Sequence, residues 1–280
     1  MFSPVVAKFG GTSLAQGSQF QKVQSIISLE KKRACIVVSA PGKRFEGDKK
    51  VTDLLGEIYK LKQFNEPHEG LLNEIQSRYE EILDCLKLSM DLKKKIFTVY
   101  KEINNSIHKD FILSRGEYLN ALIMAESLNY HFVDAKDVIF FNSDGSLDDK
   151  KTYREISKSI LKKKKVIIPG FYGSNSQGGI RTFARGGSDI TGAIIAKGVG
   201  AVLYENWTDV SGVMTADPRI EKSATTIPQL NYKDLLSMAR QGAQVYHPDA
   251  ISPVESCNIS VHIKNTNHPE KPGTIIKGDA

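Results

Sequence analysis

Near the start of the chain, the stretch AKFGGTS sets one lysine and two adjacent glycines, Lys8, Gly10 and Gly11, directly after the apolar run PVV. Lysine supplies a compact positive charge, and glycine, lacking a Cβ, lets an anion or another backbone come close. A helix starting just beyond would add the partial positive charge of its first N–H groups, which suits a phosphate. The spacing is neither G-x-x-x-x-G-K-[ST] nor G-x-G-x-x-G, so neither of those phosphate loops is present. On these residues alone a tight turn explains the stretch as well as a phosphate cradle does.

A second glycine pair lies in FARGGSD, Phe183 to Asp189, beside Arg185, Ser188 and Asp189. An arginine fork grips a carboxylate or phosphate through two hydrogen bonds. A third stretch, ENWTDVSGVMTADPR from Glu205 to Arg219, is rich in turn formers and small hydroxyls and carries Thr208, Asp209 and Arg219. Within it Asp217 and Pro218 also read simply as a turn that presents Arg219. SRGE adds Glu117, which reads either as a ligand-binding carboxylate or as an exposed helix-start residue paired with Arg115. His247, in VYHPDA, reads as a structural residue at a turn before a helix rather than as a catalytic one.

These turns need elements to hold them. Short apolar runs recur at Pro4–Phe9, around Cys35, at Val138–Phe141, Val166–Gly170, Ala201–Glu205 and Ile259–Lys264, most of them β-branched and without alternation. Strands buried on both faces of a parallel sheet read this way. Helical stretches lie between them, so the class is α/β. From Pro67 to about Asn105, Leu72, Ile75, Tyr79, Ile82, Leu83 and Leu86 fall on one face of a 3.6-residue period, which predicts a helical insertion or lid-supporting hairpin. Asp189–Ala201 is predicted as a helix capped by Ser188 or Asp189 and closed by Gly198. Glycine-rich turns at several strand ends would converge on the crevice where open α/β sheets bind ligands.

Composition sets the outer limits. With 280 residues, 40% hydrophobic and 25% charged, the chain can bury a large core, which excludes disorder. No window approaches the ~18 apolar residues of a membrane span, and no secretory leader is visible, so a soluble, cytoplasmic protein without membrane contact is expected. Three dispersed cysteines, Cys35, Cys85 and Cys257, suggest neither a disulfide framework nor a structural metal site, and read as buried or half-buried apolar residues. The net charge of +6 raises the question of nucleic acid. The basic runs at Glu30–Arg33, Lys93–Lys95 and Lys162–Lys165 read instead as solvated helix ends, and no aromatic residues interleave them, so no nucleic-acid partner is expected.

Taken in order, KFGGTS, SRGEYLNA, GFYGSN, TFARGGSDITGA and WTDVSGVMTADPR resemble the catalytic domain of aspartate kinases, of the amino-acid kinase superfamily, from residue 5 to about residue 275. The resemblance implies a three-layer α/β/α sandwich with a mostly parallel central sheet. It implies a single catalytic domain over 1–280, with an N-terminal lobe of about 1–195 for the amino acid and a C-terminal lobe of about 196–280 for the nucleotide. The activity it implies is transfer of a phosphoryl group from ATP to the β-carboxylate of L-aspartate, with Mg²⁺ carried by ATP. That reaction yields 4-phospho-L-aspartate and opens the diaminopimelate route to lysine and the routes to threonine and methionine. A homodimer is compatible with it.

Position by position, the resemblance implies that Lys8, Gly10 and Gly11 hold the phosphoryl group in flight, with Lys8 at the exposed end of its strand, and that Asp189 orients Lys8. It assigns Thr52, Glu117, Arg185 and Ser188 to aspartate, with Glu117 at the α-amino group. Thr208, Asp209, Arg219 and Gln244 fall to the nucleotide. Two departures stand out. Regulatory ACT domains, on the order of 100 residues or more, do not follow PGTIIKGDA. Gln244 also stands where many relatives have a lysine, so a substitute cation is expected among Lys43, Arg44 and Arg219. The competing readings are a sibling kinase acting on glutamate, acetylglutamate or UMP, and a non-catalytic partner subunit.

Overall fold

The computed structural model describes residues 4–184, 186–216, 221, 223–240 and 246–278. In chain order, β1 (Val5–Phe9) leads through a 3-10 turn at Thr12–Leu14 into α1 (Gly17–Leu29) and β2 (Arg33–Val38). Four helices follow: α2 (Val51–Gln63), α3 (Glu69–Leu86), α4 (Met90–Asn105) and α5 (Lys109–Leu128). Then come β3 (His131–Phe132), α6 (Asp149–Ser159), β4 (Val166–Pro169), β5 (Tyr172–Ser174), β6 (Ile180–Thr182) and α7 (Gly187–Val199). The chain continues with β7 (Leu203–Thr208), β8 (Gln229–Asn231), α8 (Tyr232–Arg240), α9 (Ile251–Glu255), β9 (Ser260–Asn265) and β10 (Thr274–Lys277).

Eight strands form one sheet in the order β3-β4-β2-β1-β7-β9-β10-β8, and β5 and β6 form a separate hairpin. The sheet is parallel except that β10 runs antiparallel to β9. Alternate residues of the central strands feed two cores. Val6, Val37, Ile168, Tyr204 and Val261 pack with α6, α7, α8 and α9, while Ala7, Phe9, Ile36, Val38 and Trp207 pack with α1 to α5. A two-sided core is what non-alternating apolar strands require, and the result is a three-layer α/β/α sandwich. Because β1 leaves toward α1 on one face and β7 toward α8 and α9 on the other, the β1/β7 pair is a topological switch point, where such sheets form ligand crevices.

Several local expectations need correction. Val138–Phe141 is not a strand. The N–H groups of Val138 and Ile139 bond back to the Ala135 carbonyl, that of Phe140 donates to Thr152 Oγ1, and only isolated bridges form. The helix after FARGGSD is capped by neither Ser188 nor Asp189: its N-cap is Gly186 at φ 61°, and it ends at Gly200, φ 63°, both left-handed conformations that favour glycine. Gly198 lies inside the helix, where a Cβ would come within 2.7 Å of Ile156 on α6. Cys85 and Cys257 are exposed, and only Cys35 is buried. Lys93–Lys95 lie toward the start of α4 rather than at a helix end.

The 67–105 segment is the expected helical hairpin, α3 and α4, and its inner face forms a packed wall. Leu72, Ile75, Tyr79, Ile82 and Leu83 are buried in the core that contains α5. From that wall α3 projects Arg78, only 2% exposed, which donates to the carbonyls of Gly42 and Lys49 at 2.6 Å each and lies 3.7 Å from Asp48. Asp48 is held in turn by the backbone N–H and guanidinium of Arg44. These bonds fix the loop between β2 and α2. Among the described residues, no helix is long and apolar enough to cross a membrane.

Candidate active site

The carboxyl ends of β1, β2, β4 and β7 carry the sequence-selected turns. Lys8 is one residue from the end of β1, between Val37 of β2 and Asn206 of β7 in register. It is not at an exposed end, being 7% exposed, because neighbouring strands cover it on both sides. Its side chain turns toward α7, where Nζ lies 2.6 Å from Asp189 Oδ1 and donates to Asn206 Oδ1 at 3.3 Å. Asn206 Nδ2 closes the triangle by donating to the same Asp189 oxygen at 3.1 Å. Lysine, aspartate and asparagine therefore lock one another in place across two strands and a helix. Asn206 was missed in sequence; it sits inside the quoted ENWTDV stretch, and only the β1/β7 register reveals its partner.

The glycine pair now has its explanation. A Cβ on Gly10 would stand 3.5 Å from the Lys8 ammonium, so this glycine borders the charge. A Cβ on Gly11 would come within 2.9 Å of the Ala40 carbonyl and 3.1 Å of Gly42, and the Gly42 N–H donates to the Gly11 carbonyl at 2.8 Å. What approaches Gly11 is thus the chain's own second loop. The two turns are packed backbone to backbone, with Arg78 holding the far side of Gly42.

Glu117 lies on the other side of that second loop, in mid-α5 rather than at an exposed helix start. It is 4% exposed, and Arg115 does not pair with it: the guanidinium of Arg115 bonds Ser114. The Ala40 N–H donates to the Glu117 carboxylate, and burial, the dominant influence, pushes its pKa up to about 8. Its Oε2 is buried without a partner, as is the Oδ1 of Asn120 one turn later, whose amide donates to the Ser39 carbonyl at 2.7 Å. Ser39–Gly42 is therefore a strap with Glu117 on one flank and Gly11 on the other. An unpaired buried carboxyl is costly, and either a proton or an incoming cation relieves it.

The remaining residues distribute around these two centres. Thr52 is half-buried in the first turn of α2, whose first N–H donates to the Pro41 carbonyl. Ser188, in the first turn of α7, packs against Gly170, where a Cβ would meet its Oγ at 2.6 Å. Thr208 closes β7 and donates to Asp209 Oδ1 at 3.1 Å. Asn265 of β9 steadies that turn through the Asp209 carbonyl. His247 caps the 3-10 turn at Pro248–Ala250 and packs its ring on Gly186, which is a structural role. Arg185, Asp217, Arg219 and Gln244 lie outside the described residues. Of the candidate substitute cations, Arg44 is committed to Asp48, while Lys43 is exposed beside Gly42.

A crevice at the switch point of an α/β sheet, lined by a lysine and glycine turns, is an arrangement suited to phosphate, and comparison with known proteins gives the family. The sequence profile of the amino acid kinase family matches residues 3–265. This chain belongs to that family. It is 35% identical over 285 residues to aspartokinase 3 of Bacillus subtilis, covering 97% of this chain and 63% of the relative. It superposes on the crystal structure of Clostridium acetobutylicum aspartate kinase with a TM-score of 0.92 at 47% identity, covering 99% of this chain and 63% of the other. On Escherichia coli aspartokinase III in complex with aspartate and ADP the TM-score is 0.85 at 26% identity, with 99% and 65% covered. The chain therefore spans a little under two thirds of the length of these relatives.

Proposed function

We propose that this chain is the catalytic part of an aspartate kinase, transferring the γ-phosphoryl group of ATP to the β-carboxylate of L-aspartate as the first step toward lysine, threonine and methionine. The observation that carries this reading is Glu117, a buried carboxyl with one oxygen unpaired, one loop away from the Lys8 centre. An α-ammonium group is the countercharge such a site lacks. UMP has no amine to offer, and acetylglutamate has its amine acylated. The structures of relatives with aspartate and with ADP support the same choice.

In this reading the region before about residue 195 holds the amino acid through Thr52, Glu117, Arg185 and Ser188. The region from about 196 holds the nucleotide through Thr208, Asp209, Arg219 and Gln244. The β-carboxylate is ionised at neutral pH, so it attacks the γ-phosphorus without a general base. The bond from γ-phosphorus to the bridging oxygen breaks and ADP leaves. Lys8 faces the three phosphoryl oxygens, held in position by Asp189 and Asn206 before substrate arrives; alignment and charge neutralisation supply most of the rate in such transfers. Among the described residues no group of three or more His, Cys, Asp or Glu side chains is gathered for a metal. In this reading Mg²⁺ arrives carried by ATP, where it would neutralise charge on the phosphate oxygens.

Incubation with ATP, Mg²⁺, hydroxylamine and each acceptor tests the reading, because only an acyl phosphate gives a hydroxamate. Hydroxamate is expected with L-aspartate and not with glutamate, N-acetylglutamate or UMP. A glutamate-only product would move the substrate by one methylene, and no ATP consumption with any acceptor would leave a non-catalytic subunit.

A further inference from the structure

Away from the Lys8 crevice, the end of α4, the start of α5, the Ala135–Asp137 turn and the β5–β6 hairpin border an open cavity of about 870 Å³. None of Lys8, Thr52, Glu117, Ser188 or Thr208 lines it. Its innermost charge is Arg115, 5% exposed. The guanidinium lies 4.4 Å from the ring centre of Phe111 and 4.3 Å from that of Tyr118, and its hydrogen bonds go to the neutral Ser114 hydroxyl through Nε and one terminal nitrogen. Among the described residues no carboxylate pairs with it. A guanidinium buried without a counter-anion is costly unless an anion arrives, and its planar fork suits a carboxylate or phosphate.

Three further features favour an anion. Lys101 and Lys136 line the same cavity, so three cations face the single acid there, Glu102. His108, which precedes the first turn of α5 without capping it, lines the cavity, so the partial positive charge of that helix start lies near its rim, with Asp110 of the same turn bonded to Thr182. The opposite wall is a firm hairpin: Asn175 Oδ1 accepts from the N–H groups of Gln177 and Gly179, and Thr182 bonds Asp110 of α5. The cavity is thus walled and positively charged before any ligand enters.

We propose that this cavity binds a small polyanionic metabolite bearing carboxylate or phosphate groups, one of them seated on Arg115 and another on Lys136 or Lys101. The inference does not rest on the kinase reading. Calorimetric titration of the 280-residue chain with citrate, and separately with inorganic phosphate, tests it. One site per chain is expected, weakened at least about tenfold by Arg115→Gln and comparably by Lys136→Glu. Lys136 is exposed, so the second variant keeps the test sound if the first fails to fold. Tighter citrate than phosphate identifies a polycarboxylate, and the reverse a phosphate ester. No heat with either probe, equal affinity in both cavity variants, or binding abolished by Lys8→Met would overturn the proposal.

Discussion

Two charged centres flank the Ser39–Gly42 strap, and they differ in how far they are finished before substrate arrives. At one, Lys8 is paired with Asp189 and Asn206, each polar group answered by another. At the other, Glu117 is buried with Oε2 unanswered and its pKa pushed up to about 8. A charge that must meet a transferring phosphoryl group gains from being held rigidly in advance, since no reorganisation remains at the moment of reaction. A carboxyl that must recognise an ammonium gains from being left unpaired, because an acceptor without the amine cannot relieve it. Under the proposed function, the first centre would serve rate and the second selection.

The largest effect is expected where the finished centre loses its charge. Lys8→Ala should lower kcat by on the order of 10³-fold, and because it leaves the largely buried Asp189 with only the Asn206 amide, unfolding should also become easier by about 3 kcal/mol. Turnover within tenfold of the unsubstituted chain would remove Lys8 from the transfer. Next comes the strap between the centres. Arg78→Ala takes the donors from Gly42 and Lys49 and leaves Asp48 with Arg44 alone, so unfolding should become easier by about 3 kcal/mol. Denaturant titration measures this, and an unchanged midpoint would show that the strap needs no anchor.

Glu117→Gln separates the centres most sharply, because binding and stability should move in opposite directions. The KM for the amino acid should rise on the order of 100-fold as the countercharge disappears, yet the empty protein should become more stable. The sign follows from proton binding. Between the unfolded carboxyl value of 4.5 and about 8, the folded chain keeps a proton that the unfolded chain has released, so this group's contribution to stability falls as pH rises through that window. The gain from the substitution should therefore be greatest near pH 8 and vanish below pH 4.5. Equal pH profiles for the two proteins would show that Glu117 already has a partner. The smallest effect, about tenfold in kcat, is expected for Asn206→Ala, which leaves the Lys8–Asp189 pair but frees it to swing; a loss confined to nucleotide KM would place Asn206 outside the positioning of Lys8.

How much of this was readable in advance divides along the same line. Non-alternating apolar runs mark β1, β2, β4 and β7, because burial on both faces leaves a compositional trace, while β9 alternates between buried and half-buried positions. The edge strands β3 and β8, and β10 beside β8, were not predicted, being short and drawing on neighbours distant in sequence. Lys8 and Asp189 were selected through motifs, but their partner Asn206 depends on strand register, which sequence spacing does not encode. Glu117 was visible as a residue, and its burial was not. That follows from α5 lying between the sheet and a wall of helices, which only the packing reveals. Arg78 left no signal at all, since in sequence it is one charge on an amphipathic helix.

The contrast between a completed and an incomplete centre can be read in one titration. Calorimetry of L-aspartate binding at pH 7, repeated in buffers of different ionisation enthalpy, counts the protons exchanged. If the α-ammonium replaces the proton on Glu117, about one proton is released per aspartate bound, and the release disappears in Glu117→Gln. Binding of comparable affinity with no proton released, or with the same release in the variant, would contradict the assignment of Glu117 as the acid that waits for the amino group.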